Sequence, residues 1–255
     1  MKATLRPLLV TLALLASCAP PAPDYDVLIL NGRIVDGTGN SWYQADIGIR
    51  GDRIEAIGKL AHRTGAQTID AKGMVVAPGF IDMLGWSGMS LLVDGRAVSK
   101  VSQGITTEII GEGVSVAPVN EKVMEERQAF HTKYGLEDVW TDFDGYFQLL
   151  EKRGTAINVA SFVGATQVRI CVLGYEDRAP TDEEMTAMKG LVRIAMEQGA
   201  LGLSTSLIYA PATYSTTQEL TELATVAAEY GGMYISHLRD EGDEGKQVEA
   251  IYEAA

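Results

Sequence analysis

His237 is the residue whose type and position most clearly suggest chemistry. It follows an apolar run that ends at Ser236, and Arg239, Asp240 and Glu241 come directly after it. A neutral imidazole at a strand end can bind a metal ion while a neighbouring carboxylate holds its second ring nitrogen. A histidine that serves only the internal hydrogen bonds of the protein is the alternative interpretation. By its position, His237 is a candidate metal ligand.

Two further residues, Arg239 and Cys171, have side chains of types that can bind substrate or react. Arg239 can receive a substrate carboxylate through a two-pronged hydrogen bond, or it can pair with Asp240 or Glu241 in a solvated run of charges. Cys171 is interpreted as a small core residue rather than a nucleophile, because no histidine is near it in sequence.

Five apolar runs are predicted to be the strands that position these side chains. Continuous apolar runs are typical of strands buried on both faces, and here they occupy residues 74–83, 105–110, 157–163, 200–203 and 233–236. Helices with capping boxes separate the later runs, one beginning at Thr181 with Glu184 and the next at Ser215 with Gln218. Alternation of strand and helix predicts an α/β fold with a parallel sheet.

The count of strands predicts an incomplete barrel over residues 76–255. A closed (β/α)8 barrel takes eight strands and about 250 residues, whereas about five strands are present, and we interpret the chain as a fragment. Residues 25–75 show short alternating segments broken by Asn31-Gly32, Asp36-Gly37 and Gly51-Asp52. These dipeptides are typical of tight turns, so a small β-sandwich is predicted before the barrel.

The first residues predict export. Lys2 and Arg6 precede the apolar run 8–16, which is too short to span a bilayer. The run ends in a segment similar to a bacterial lipobox, so we expect a signal peptide over residues 1–17 and a lipid on Cys18; an ordinary cleavage site beside a chance cysteine is the alternative. The proline-rich residues 18–24 favour an extended tether. The expected location is the bacterial cell envelope, facing the periplasm in a Gram-negative cell.

The charge and cysteine content exclude some classes of function. The chain carries 21 Lys and Arg against 34 Asp and Glu, a net charge of −13. An acidic surface argues against a nucleic-acid partner. Because Cys171 is the one cysteine left once Cys18 is lipidated, no intramolecular disulfide is expected.

Several motifs resemble, in the right order, those of a known family. The segments are Ala77–Asp82, Gly104–Thr107, Gly113–Pro118, Gly199–Thr205 and Tyr234–Glu241. Together they are similar to the amidohydrolase superfamily and, more narrowly, to its N-acyl-D-amino-acid deacylases, the D-aminoacylase group. The resemblance implies a metal-dependent-hydrolase TIM barrel and zinc-dependent cleavage of an amide by a metal-bound water. His237 matches a zinc-ligand histidine of that group, and Tyr209 matches a loop tyrosine that contacts substrate.

Departures from the family pattern bear on the metal. Leu84 and Trp86 occupy the positions of a His-x-His metal pair, and Glu112 occupies that of a metal-binding cysteine. A carboxylate is an accepted zinc ligand, although Glu112 could equally be a polar residue at the barrel mouth. One zinc held by Glu112, His237 and a further histidine is expected. The resemblance places the catalytic aspartate beyond Ala255, so no catalytic residue is assigned.

Two functions remain open at the level of the sequence. The first is hydrolysis of N-acyl amino acids or related amides by a membrane-anchored enzyme. The alternative is a non-catalytic, lipid-anchored ligand-binding protein, since Leu84 and Trp86 turn a metal cradle into an apolar wall. The oligomeric state is not predicted.

Overall fold

The computed structural model describes residues 22–242 and 245–255, so the predicted signal peptide, Cys18 and most of the tether lie outside the described residues. The chain divides into two compact units, with the boundary between Pro78 and Gly79. The sequence predicts this boundary between residues 75 and 76. Within the described ranges, no helix is both long and apolar enough to cross a membrane.

The described residues of the first unit form one five-stranded mixed sheet. Its strands are β1 Tyr25–Ile34, β2 Tyr43–Arg50, β3 Arg53–Gly58, β4 Gly65–Asp70 and β5 Val75–Val76. Their order is β3-β2-β1-β4, and β5 pairs with the end of β1. β1 runs antiparallel to β2 and parallel to β4. Leu28, Ile34 and Ile47 are buried and supply the apolar side of this unit.

The turn predicted at Asn31-Gly32 is wrong, because both residues lie inside β1. Asn31 has a φ of +61°, and the pairing with β2 shifts register between Ile29 and Gly32, which marks a bulge. Asparagine tolerates the left-handed conformation, and its N–H donates to Asp46 Oδ1 at 2.8 Å. Pairing on both sides of the dipeptide therefore outweighs the local turn signal. The turn predicted at Gly51-Asp52 is confirmed between β2 and β3.

The second unit contains four of the five predicted runs and the second half of the first as parallel strands. They are β6 Phe80–Gly85, β7 Ile105–Ile110, β8 Asn158–Ser161, β9 Val163–Gly164, β10 Gly202–Ser206 and β11 Met233–His237. The first run, 74–83, is interrupted, because Val75–Val76 pairs with β1 as β5 of the first sheet and β6 begins only at Phe80. The third run is split, because a single residue, Phe162, separates β8 from β9. Two three-stranded sheets result, in the orders β6-β7-β8 and β9-β10-β11, and every pairing is parallel. Polar residues that follow these strands therefore lie at one common edge.

Helices of the second unit cover the strands with an apolar layer. Those in the described ranges are α1 Gly88–Val93, α2 Val98–Val101, α3 Glu121–Tyr134, α4 Phe143–Arg153, α5 Ala165–Val172, α6 Asp182–Glu197, α7 Thr217–Glu229 and α8 Gln247–Ala254. The core includes Tyr146, Val168, Met188, Leu203 and Leu223, all buried. This packing fixes the strand ends that carry the candidate site.

One of the two predicted helix caps is correct. The capping box of Thr181 and Glu184 is confirmed at the start of α6. The cap of α7 is Thr216 rather than Ser215, and its hydroxyl accepts from the N–H of Glu219. Ser215 instead donates its hydroxyl to the Glu219 carboxylate at 3.0 Å. Three neighbouring hydroxyl residues offer equivalent caps in sequence, and the buried carboxylate recruits the first of them.

Candidate active site at the carboxyl ends of the strands

The loop after β7 is tied to β10. Gly111 and Gly113 flank Glu112 with φ values of +96° and +64°, a conformation that glycine adopts without strain. The Gly113 N–H donates to Ser204 Oγ at 3.0 Å, and the same hydroxyl donates to the carbonyl of Gly111. A Cβ at Gly113 would lie 2.4 Å from the Cβ of Ser206. The backbone around the buried Glu112 is therefore held against the end of β10.

His237 lies on the other side of β10. It is the last residue of β11 and is the register partner of Ser206, and its carbonyl accepts from the N–H of Leu207 at 3.0 Å. Its Nδ1 is 2.5 Å from Oε1 of Glu241. This contact does not have the direction of a hydrogen bond, since Nδ1 counts as a buried nitrogen without one. The ring of Tyr209 meets the imidazole edge-on, with 5.5 Å between the centroids.

β10 thus brings three of the predicted site residues to one end of the second unit: Glu112, His237 and Tyr209. An imidazole nitrogen and a carboxylate oxygen are both accepted zinc ligands. A catalytic zinc takes three protein ligands, and within residues 22–242 and 245–255 no cluster of three or more His, Cys, Asp or Glu side chains could hold a metal ion. Glu112 and His237 therefore stay candidate metal ligands, without a third ligand among the described residues.

The His-x-His positions end β6 without metal-binding side chains. Leu84 and Trp86 are 52% and 64% exposed. Between them, a Cβ at Gly85 would lie 1.8 Å from Oε1 of Glu108, so the glycine makes room for that carboxylate. The end of β6 is thus shaped around an acid on β7 rather than around a metal.

Glu108 belongs to a charged cluster that the sequence analysis missed. It is fully buried in β7, 3.4 Å from Nζ of Lys100, and it accepts from the Ser87 N–H at 3.1 Å. Lys100 also donates to Asp82, and this hydrogen bond is the main reason that the pKa of Asp82 is lowered. An acidic residue inside the apolar run 105–110 was the visible signal. Its carboxylate has to find a cation in the helical layer.

Arg239 is engaged by a residue that the sequence analysis did not name. Its Nε and Nη2 donate to the two oxygens of Glu253 on α8, at 2.9 and 2.8 Å. Its Nη1 and Nη2 also donate to the carbonyls of Thr213 and Ser215. The hydrogen bond to Glu253 is the main reason that the pKa of Arg239 is raised. Binding of a substrate carboxylate by Arg239 stays a prediction, and it would require displacement of Glu253.

The chain is similar in sequence to known deacylases. The chain is 36% identical to a D-aminoacylase of Alcaligenes xylosoxydans xylosoxydans over 227 residues. It is 37% identical to an N-acyl-D-glutamate deacylase of the same organism over 219 residues. The chain is homologous to the D-aminoacylases. These matches cover 86% of the chain, yet only 45% and 44% of the relatives, so the chain spans about half their length. No family model matches.

Solved structures agree in fold. The N-acyl-D-glutamate deacylase of Bordetella bronchiseptica, solved with zinc and a phosphonate inhibitor, superposes with a TM-score of 0.80 at 36% identity. It matches 90% of this chain, which covers 48% of that protein. A D-aminoacylase described as defining a novel subset of amidohydrolases superposes with a TM-score of 0.79 at 33% identity. The α/β fold expected from the sequence is therefore confirmed.

Proposed function

We propose that the protein is a metal-dependent hydrolase of non-peptide amide bonds, and specifically an N-acyl-D-amino-acid deacylase. The observation that carries the proposal is the placement of Glu112 and His237 on either side of β10, at the common end of parallel strands. Relatives named as deacylases of N-acyl-D-glutamate and N-acyl-D-aspartate support the substrate class. The non-catalytic binding protein is not favoured, because these relatives are enzymes.

We place one zinc ion at Glu112 and His237. Zinc in this position would lower the pKa of a bound water and polarise the carbonyl of the amide. A solved relative contains zinc, and a binuclear centre is described for D-aminoacylase. We favour a single ion here because Leu84 and Trp86 carry no metal-binding atoms.

The described side chains would then have distinct roles. Glu112 and His237 hold the metal, and a carboxylate oxygen of Glu241 lies 2.5 Å from Nδ1 of His237. Tyr209, edge-on to the same imidazole, would contact the substrate. Arg239 braces α8 through Glu253 and remains a candidate for the substrate carboxylate. The proton-transfer residue is not assigned within this chain.

The finer architecture and the location belong to the same proposal. The strands β6 to β11 are proposed to be consecutive strands of a (β/α)8 barrel, and the first sheet to be part of a β-sandwich. The lipobox-like segment at Cys18 supports a lipid anchor in the bacterial cell envelope.

The test is zinc content and hydrolysis in the full-length protein. We expect bound zinc by elemental analysis and release of acetate from N-acetyl-D-amino acids in preference to the L-forms. His237→Ala should abolish hydrolysis and lower zinc content, and Glu112→Ala should lower both. His62→Ala is the matched control, since His62 is exposed in the first unit.

Two results would contradict the proposal. One is wild-type protein that contains no zinc and releases no acetate. The other is full hydrolysis by His237→Ala at unchanged zinc content.

A further inference from the structure

A cavity of about 180 Å³ lies beside Glu112, between the segments that follow β6 and β7. Its walls include Trp86, Met89 and Val114, and Arg127 is its one charged lining residue. Trp86 stands where the family pattern has the second histidine of the metal pair. The cavity therefore joins a flat apolar wall to a cation at the edge of the candidate metal site.

Arg127 extends from α3 into this cavity, and some of its N–H groups make no hydrogen bond to a described residue. Its Nη1 donates to the carbonyl of Val116 at 2.9 Å and its Nη2 to that of Ser115 at 3.0 Å. A guanidinium has five N–H groups, so three make no hydrogen bond to a described residue. In the part of the chain that the structure describes, no carboxylate lies within ion-pair distance of Arg127, although the charge of Glu126, the preceding residue, acts to raise its pKa.

The surroundings of Arg127 strengthen its attraction for an anion. Burial is the main reason that its pKa is lowered, although arginine stays charged in proteins. Its guanidinium lies 6.0 Å from the ring centroid of Trp140, which covers one side of it. A partly desolvated cation without a directly paired carboxylate binds an anion more strongly than a solvated one does.

Arg239 offers the opposite environment. Its carboxylate partner, Glu253, already occupies Nε and Nη2. The cavity that it lines, of about 770 Å³, also contains four acidic residues, Asp240, Glu241, Glu249 and Glu253, against one further cation, Lys246. Such a surface repels an anionic substrate. Of the two arginines near the strand ends, Arg127 is the one with free donors and no acid among the residues lining its cavity.

We propose that the Arg127 cavity binds the carboxylate of the N-acyl amino acid, with an apolar part of the ligand against Trp86 and Val114. The proposal rests on the proposed function for its substrate class. The carboxylate site concerns ligand binding alone, whereas the proposed function concerns hydrolysis. A fork-shaped guanidinium accepts a carboxylate through two parallel hydrogen bonds. Trp86 then has a positive role, since the residue that follows β6 becomes part of the ligand site.

The test is equilibrium binding to full-length protein carrying His237→Ala, measured by calorimetry. The probes are N-acetyl-D-leucine and its uncharged analogue N-acetyl-D-leucinamide. We expect the acid to bind more tightly than the amide by about 10- to 100-fold. Adding Arg127→Gln should remove that preference while affinity for the amide changes little. Arg193→Gln, an exposed arginine on α6, is the matched control.

The pair of probes separates recognition from structure. Collapse of the 115–116 loop would lower the affinity for both probes equally, whereas loss of a carboxylate contact would lower only the affinity for the acid. Trp86→Ala should weaken both, because it removes the apolar wall. Equal binding of the acid and the amide by the His237→Ala protein with Arg127 intact would overturn the proposal, and so would loss of the preference in Arg239→Gln instead of Arg127→Gln. Because no turnover is needed, failure of the deacylase proposal would show separately, in the hydrolysis assay.

Discussion

The helical layer behind β10 and the mouth beside β7 each enclose a guanidinium, but they satisfy it in different ways. In the layer, Arg169 is fully buried and donates from Nη1 to both oxygens of Glu219, at 2.9 and 2.8 Å. Its Nη2 donates to the carbonyls of Glu176 and Arg178. At the mouth, Arg127 has carbonyl partners alone.

This difference separates a structural cation from one available to a ligand. A charge as deeply buried as that of Arg169 requires a carboxylate within the chain, since an unpaired charge there is strongly unfavourable. Arg127 is only partly buried, so the chain can leave it without a counter-charge. Substitutions in the two regions should therefore differ in their cost to stability.

The largest effect is expected from Glu219→Ala. The substitution leaves Arg169 buried without its counter-charge, and breaking such a pair costs about 3–5 kcal/mol of unfolding free energy. Urea unfolding of the purified protein measures it. Glu222→Ala, three residues further along α7, is the control, because Glu222 forms a half-exposed pair with Lys189 and should change the unfolding free energy little. Equal losses of unfolding free energy in the two variants would show that the buried pair is no more important to stability than the exposed one.

Gly85→Ala should come next and tests how tightly the mouth is packed. The added methyl group would meet the buried Glu108 carboxylate, and overpacking of this kind costs about 1–3 kcal/mol. The double variant with Glu108→Ala regains the space, so its unfolding free energy should exceed the value expected from adding the two single effects. Strict additivity would show that β6 moves aside instead.

Arg127→Gln should destabilise the protein less than Glu219→Ala. It removes two hydrogen bonds from a charged donor to carbonyls of the 115–116 loop, and it leaves no carboxylate unpaired. We expect a loss of about 1–3 kcal/mol, measured by the same urea unfolding. A loss as large as that of Glu219→Ala would mean that Arg127 is chiefly structural, which would weaken its assignment as a ligand group.

The smallest effect is expected at the exposed pair of Arg178 and Glu184 at the start of α6. The hydrogen bond from Arg178 is the main reason that the pKa of Glu184 is lowered from 4.5 to about 2. Because the folded pKa is lowered, the stabilisation is complete above pH 4.5 and is lost as the pH falls towards 2. Glu184→Gln should flatten the melting temperature against pH between these values. An unchanged profile would show that water screens the pair fully.

The elements of the second unit could be predicted from the sequence because their signals are local. Four of the apolar runs and the second half of the first became β6 to β11, and Thr181 with Glu184 capped α6 as expected. The errors occurred where a distant partner outweighed a local pattern. Asn31-Gly32 is a strand bulge because β2 and β4 pair with β1 on either side. Thr216 rather than Ser215 caps α7 because Glu219 takes the Ser215 hydroxyl.

The candidate site was predictable only in part. His237 and Glu112 could be proposed as metal ligands from a strand end and a family motif, and Tyr209 from the family motif. That β10 links their positions through Ser204 and Ser206 appears only in the folded chain. Arg127 carries no signal in sequence, since it is one basic residue in a charged helix.

By itself, the sequence determined the order of strands and helices, the resemblance to deacylases, and the absence of imidazoles at positions 84 and 86. Hydrophobic periodicity and short motifs act between neighbours along the chain, so they can be read without a structure. Only the tertiary structure decided which charges meet: Glu253 reaches Arg239 and Glu219 reaches Arg169. Ion-pair partners come from elements far apart in sequence, so the sequence alone does not reveal them. Burial decides which cations require a carboxylate partner, and the partly buried Arg127 has no directly paired one.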